Sequence, residues 1–241
     1  NEYLQAMLAA GVDTVELGLR SLKNNGFSGA CAYSTDEFLR SLPLPEALAV
    51  GVMINGSELV GEIPQEEVLE RLFPSLACDS PVDLVRIACH VHEFADSLSA
   101  VTWLKERGYR VGFNLMQVAN CSENEIKALA RLAAGYPLEA LYFADSMGSM
   151  SPDQVAKVIQ WLRSEWSGAL GIHTHDNIGL ALANTLRALE EGATWVDATV
   201  TGMGRGPGNA RTEELAIELA VLRGHTINLV PLMTLLRQHF K

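Results

Sequence analysis

Seven short apolar or β-branched runs, each followed by helical periodicity, and polar residues gathered where those runs end predict an α/β protein. The expected form is a TIM (β/α)8 barrel. Its rival, an open doubly wound sheet, usually carries a glycine-rich turn after the first strand, and here that turn comes last. The 241-residue length suits one barrel domain over residues 1–241, with no linker or low-complexity segment dividing it.

The elements follow in order. Asn1–Ala10 carries an apolar stripe (Leu4, Met7, Leu8) and stops at Gly11, so the chain opens inside a helix. Strands are expected at Thr14–Leu17, Ala49–Ile54, Asp83–Ala88, Arg110–Leu115, Ala140–Phe143, Ala169–Ile172 and Trp195–Val200. They read as the nearly continuous apolar runs of strands buried on both faces. Helices are expected at Thr35–Leu42, Gln65–Phe73, Glu93–Arg107, Glu123–Ala134, Pro152–Glu165, Leu180–Glu191 and Thr212–Leu222. Ser122 with Glu125 makes a capping box, and Ser151-Pro152 places proline at the first helical position. Gly108, Gly135, Gly168 and Gly192 stand where helices end. A last helix, Val230–Phe240, is expected to pack outside or to mediate self-association, making a homo-oligomer. A barrel needs eight strands, so the first is expected upstream of residue 1.

Bulk properties narrow the function. Hydrophobic residues at 48% and charged residues at 20% are ordinary for a globular protein, and a net charge of −11 argues against nucleic acid or an anionic membrane as partner. Cys31, Cys78, Cys89 and Cys121 form no CxxC pair, which speaks against a disulfide framework or zinc knuckle and for a reducing, cytoplasmic setting. Cys31 has no visible base partner and reads as a free thiol. No apolar run reaches the ~18 residues of a membrane span, and no signal-peptide pattern opens the chain.

His173-Thr174-His175 is the sharpest motif. Residues i and i+2 of a strand share a face, so both imidazoles reach one point at a strand tip and make half of a divalent-metal site. The bland alternative is a solvated loop pair. Other strand ends carry Glu16 and Arg20, then Arg86 with His90 and His92, Asn114 with Gln117, and Asp145-Ser146-Met147-Gly148. Glu16 and Arg86 lie inside strands, where they either form a buried ion pair across the barrel or contact substrate. His90 is expected to face the site, with His92 diverging to cap or solvate the next helix. The last loop has glycine at 202, 204, 206 and 208, which misses the GxGxxG spacing. It is either a flexible turn or a loop whose backbone, at Gly204 and Gly206, approaches substrate or metal and delivers Asn209.

Together these segments resemble the DRE-TIM metallolyases, also called HMGL-like. The resemblance runs from Gly171-Ile172-His173-Thr174-His175-Asp176-Asn177-Ile178-Gly179 through Ala183-Asn184-Thr185, Glu191-Gly192-Ala193, Val196-Asp197-Ala198 and Gly202-Met203-Gly204 to Gly208-Asn209-Ala210. Asp145-Ser146-Met147-Gly148 is similar to the family's Asp-Ser/Thr-x-Gly loop, and Val15-Glu16-Leu17-Gly18 to its Ile-Glu-x-Gly strand end. The family includes HMG-CoA lyase, 4-hydroxy-2-oxovalerate aldolase and isopropylmalate synthase. The likeness implies His173 and His175 as metal ligands, Asn209 on or beside the metal, and Ser146, next to Asp145, near a substrate carboxylate. It also implies a metal-binding aspartate and a catalytic arginine on the first strand, so residues 1–241 alone are expected to be a weakened or dead catalyst. No cysteine occurs in residues 202–209, unlike HMG-CoA lyase, and the Arg86–His90 region is most similar to the ketoacid aldolase branch.

The implied activity is cleavage or formation of a carbon–carbon bond next to a 2-oxo acid such as pyruvate, through a metal-stabilised enolate. Mn2+ or Mg2+ suits two imidazoles with oxygen donors better than Zn2+ does. Arg86, Asp145 and Ser146 are the substrate-binding candidates, with Gly204 and Gly206. His90, Glu16 and Arg20 are the catalytic ones, His90 as base on position alone. No role is transferred to Lys23-Asn24. Alternatives are an acyl-CoA Claisen condensation on the same scaffold and a non-catalytic barrel that binds an acid metabolite.

Overall fold

The computed structural model describes residues 2–23, 26, 29 and 31–240. Asn1, at the start of the expected first helix, and Asn24 lie outside the described residues. Seven strands form one parallel sheet in sequence order: β1 (Thr14–Leu19), β2 (Ala49–Asn55), β3 (Leu84–His90), β4 (Arg110–Met116), β5 (Ala140–Asp145), β6 (Leu170–Thr174) and β7 (Trp195–Val196). Strictly sequential parallel order is the signature of a barrel rather than of a doubly wound sheet, whose order reverses at a switch point. Among the described residues β1 pairs only with β2 and β7 only with β6, leaving a free edge on each. The sheet is curled into a partial barrel, and Arg86 of β3 reaches Asp197, just past β7, across its inside.

The helices are α1 (Glu2–Ala9), α2 (Asp36–Arg40), α3 (Gly56–Leu59), α4 (Gln65–Leu72), α5 (Phe94–Ser97), α6 (Ser99–Glu106), α7 (Glu123–Ala133), α8 (Pro152–Arg163), α9 (Ala181–Glu190), α10 (Thr212–Arg223) and α11 (Val230–His239). Apolar positions at helical spacing bury one face of α7 and α8 against the sheet. In α7 these are Ile126, Leu129, Ala130 and Ala133, and in α8 Val155, Ile159 and Leu162. They join Val85, Ile87, Val111, Phe113, Leu141 and Phe143 in the main core. A second cluster ties α1 to α11 through Leu4, Met7, Leu232 and Leu235, so the last helix packs on the outside.

Several elements differ from the sequence expectation: α3 lies outside the expected helices, β1, β2, β4, β5 and β6 run one or two residues further, and α2 is shorter. The helix expected over Glu93–Arg107 is divided into α5 and α6 at Leu98, whose dihedrals stay α-helical, and the Ser97 hydroxyl donates to the Glu93 carbonyl at 2.8 Å. β3 runs on to His90. β7 stops at Val196 because Asp197 turns inward to Arg86 and His173, and Thr199 bridges Arg211 instead.

Candidate active site

Alternation along the strands turns Glu16, Arg86 and Tyr142 into the barrel, with Asp197 beside them. Arg86 Nη1 donates to both oxygens of Asp197, at 2.8 and 2.7 Å, and Nε lies 2.9 Å from Glu16 Oε2. The guanidinium rests over the Tyr142 ring, 4.4 Å from its centroid. Gly171, opposite Tyr142 on β6, makes room: a Cβ there would fall 2.3 Å from Tyr142 Cδ1. Arg86 is thus engaged in the buried ion-pair reading of the sequence rather than left open to substrate.

Asp197 also fixes the imidazole of His173, whose Nδ1 lies 2.9 Å from Asp197 Oδ2. A neutral His173 therefore carries its proton on Nδ1 and leaves the Nε2 lone pair free, the orientation a metal ligand needs. Burial works against ionisation of Asp197, but Arg86 and His173 outweigh it and hold the carboxyl at about 2. His175 lies beside His173, their ring centroids 5.2 Å apart. Burial, followed by His173 and Arg205, pushes the His175 imidazolium pKa down and favours the neutral ring.

The glycine-rich loop folds back onto this pair. Gly208 accepts from the Asp176 amide at 2.8 Å, and Asn209 forms an antiparallel bridge with His175. Gly208 has φ of 100°, and a Cβ there would lie 2.0 Å from the Gly202 carbonyl oxygen, so only glycine closes the turn. Gly204 packs on the Asn209 amide, while Gly206 lies exposed at the loop tip. Asn209 is buried, yet its Oδ1 has no hydrogen-bond partner. Such an orphan acceptor, next to two imidazoles, fits a divalent cation. Among the described residues no three His, Cys, Asp or Glu side chains converge to hold a metal ion; the convergence is of two imidazoles and an amide.

The other expected site residues divide. Ser146, at the tip of β5, accepts from the backbone amide of Gln117 at 2.9 Å and keeps its own proton to donate. Gln117 adopts a left-handed conformation with φ of 61°. Asp145 is fully buried, and its oxygens accept from the Ser149 and Met150 amides, each at 3.1 Å, so it shapes the turn carrying Ser146. Arg20 is drawn away from the mouth. Its nitrogens bond the Ser34 and Leu72 carbonyls and Asp36, under a Phe73 ring 4.8 Å away. It is a structural cation, because it is buried and each of its three nitrogens bonds a protein oxygen. Glu16 faces inward and pairs with Arg86. His90 ends β3, three strands from β6, and lines a hollow of about 350 Å³ with Met116, Gln117 and Cys121. The two histidines expected to diverge lie stacked instead, centroids 5.6 Å and planes 9° apart, because the chain turns straight into a 3-10 helix after His90.

Sequence reasoning did not single out Asp197. Its signals were its place in the Val196-Asp197-Ala198 segment of the resemblance and its position two beyond Trp195, on the inward alternation of the last strand.

The HMGL-like family profile matches residues 69–237. The chain is 34% identical over 228 residues to a 4-hydroxy-2-oxovalerate aldolase of Carboxydothermus hydrogenoformans, covering 92% of this chain and 64% of that one. It is 36% identical over 171 residues to the enzyme of the same name from Bacillus thuringiensis, covering 68% of this chain and 49% of the relative. The chain spans about half the length of such Bacillus relatives. Among solved structures, the N-terminal domain of a candidate aldolase from Bacteroides vulgatus superposes with a TM-score of 0.86 at 26% identity, covering 99% of this chain and 80% of that one. The fold is also that of hydroxymethylglutaryl-CoA lyase from Pseudomonas aeruginosa, with a TM-score of 0.73, 18% identity, and coverage of 97% and 82%.

Proposed function

The chain belongs to the HMGL-like family, and from that membership we propose that it is a carbon–carbon lyase of the aldolase type acting on a 2-oxo acid. The observation that carries this reading is the Arg86–Asp197–His173 relay, which presents a free imidazole nitrogen beside His175 and the unpartnered Oδ1 of Asn209. His173, His175 and Asn209 would hold a divalent cation, Mn2+ or Mg2+ on the chemistry of these donors. When bound, the cation supplies Lewis-acid stabilisation of negative charge on the 2-oxo acid.

The chain's own groups do the rest. Asp197 holds His173 in one tautomer, and Arg86 keeps Asp197 ionised. The Ser146 hydroxyl, turned by the Gln117 amide, donates to the substrate carboxylate. Glu16 acts by holding Arg86 in place, and His90 at the end of β3 is the proposed proton acceptor. The four cysteines are free thiols, which supports a reducing cytoplasmic setting. Among the described residues no helix is long and apolar enough to cross a membrane.

The test is pyruvate release from 4-hydroxy-2-oxopentanoate, followed by a coupled assay with and without a chelator. Release that stops on chelation supports the reading, and release indifferent to the chelator opposes it.

A further inference from the structure

The barrel interior holds a second amide oxygen without a partner, on a strand other than those carrying the imidazole cluster. Val111, Phe113 and Leu115 of β4 point outward into the sheet–helix core, where Phe113 meets Phe94 edge-on at 5.0 Å. Gly112 and Asn114 therefore face inward. The missing side chain of Gly112 confirms the direction, since a Cβ there would lie 3.4 Å from Arg86 Cγ and 3.5 Å from Tyr142 Cε2. Asn114 sits one inward position nearer the mouth. It is only 4% exposed, and its Oδ1 is buried with no hydrogen-bond partner among the described residues. Its register neighbours are Ala88 on β3 and Tyr142 on β5, and neither bonds it.

A buried amide left unsatisfied is costly, and an apolar residue of the same shape would be more stable there, so the group calls for an occupant. The chemistry of the proposed substrate selects which part. The carboxylate and keto oxygens of a 2-oxo acid only accept hydrogen bonds. The donor in an aldol adduct is the hydroxyl on the carbon beyond the bond that breaks.

Resting on the aldolase reading above, we infer that Asn114 is a specificity residue whose Oδ1 accepts a hydrogen bond from the substrate's 4-hydroxyl. It orients that hydroxyl and takes no proton, because an amide is not a base.

The test compares 4-hydroxy-2-oxopentanoate with 2-oxopentanoate, which lacks the hydroxyl and cannot be cleaved. The parent and the Asn114→Ala, Asn114→Leu and Asn114→Asp variants are assayed for KM with the first and Ki with the second. Losing one hydrogen bond to a buried acceptor is expected to raise KM about tenfold in Asn114→Ala and Asn114→Leu, while Ki stays within about twofold. Asn114→Asp keeps an acceptor at the same place and retains the preference for the hydroxylated acid. The melting temperature of Asn114→Leu is unchanged or raised, since an orphan polar group has been removed. KM and Ki moving together, neither moving, or a lowered melting temperature in Asn114→Leu would overturn the assignment. If the parent neither cleaves the first acid nor binds the second, the aldolase reading itself fails and takes this inference with it.

Discussion

Asp197 Oδ2 lies 2.9 Å from His173 Nδ1, and the same carboxylate takes both contacts from Arg86 Nη1. Neutralising it in Asp197→Asn leaves the shape but removes the charge that fixes the His173 tautomer. Outer-shell losses of this kind weaken metal binding by about 10–100-fold. Mn2+ titration followed by electron paramagnetic resonance should show a loss in that range, and His173→Ala a larger one. Equal affinity in parent and Asp197→Asn would mean that the carboxylate does not orient a ligand.

Arg86 is buried and holds two carboxylates at once. Removing it in Arg86→Met leaves Glu16 and Asp197 facing each other without a counter-charge. Breaking a buried pair on one side costs about 3 kcal/mol. Both carboxylates keep some solvent contact, with side chains 32% and 19% exposed, so the lower end of the usual range applies. Urea unfolding of the variant should show a lowered midpoint, and the double change Arg86→Met with Glu16→Gln should recover part of it.

Gly208 closes the loop that carries Asn209. In Gly208→Ala the added methyl meets the Gly202 carbonyl and the positive φ is strained, so the loop opens. Metal affinity should fall with little loss of global stability, because residues 203–207 are exposed. A lowered melting temperature with unchanged Mn2+ affinity would contradict the loop's role.

Arg20 and Asp36 give a pH signature unrelated to the site. Burial raises the Asp36 carboxyl pKa, but the bond and charge of Arg20, with the hydroxyl of Ser80, hold it below its ordinary value. A depressed folded pKa stabilises the native state above the unfolded value, and the contribution disappears as pH falls through the folded one. Asp36→Asn should therefore be less stable than the parent at neutral pH, with the gap narrowing below about pH 4. Urea midpoints measured across pH 2–7 would show it, as the proposed range of the experiment; a gap that widens in acid would contradict the pairing.

The fold was legible because the strands are apolar runs buried on both faces and the helices carry their own caps. Ser122 and Ser151 each accept from the residue three positions on, as their capping boxes predict. The imidazole pair and Asn209 were legible as motifs, since alternation alone puts His173 and His175 on one face. Long-range pairing was not. Arg86 and Arg20 look alike as cations at strand ends, and only the packed chain shows one holding Asp197 and the other spent on Asp36 and two carbonyls. Asp197 stands in the matched Val196-Asp197-Ala198 segment without an assigned role, because its importance lies in a partner 24 residues away on β6.

The central claim is that this chain stabilises a carbanion next to a 2-oxo group with the help of a cation at His173, His175 and Asn209. Deuterium incorporation into the methyl group of pyruvate, followed by NMR with Mg2+ or low Mn2+, tests it without needing the aldehyde partner. Exchange that requires the cation, stops on chelation and is lost in His173→Ala is the predicted result. Absence of exchange with the cation demonstrably bound would contradict the account.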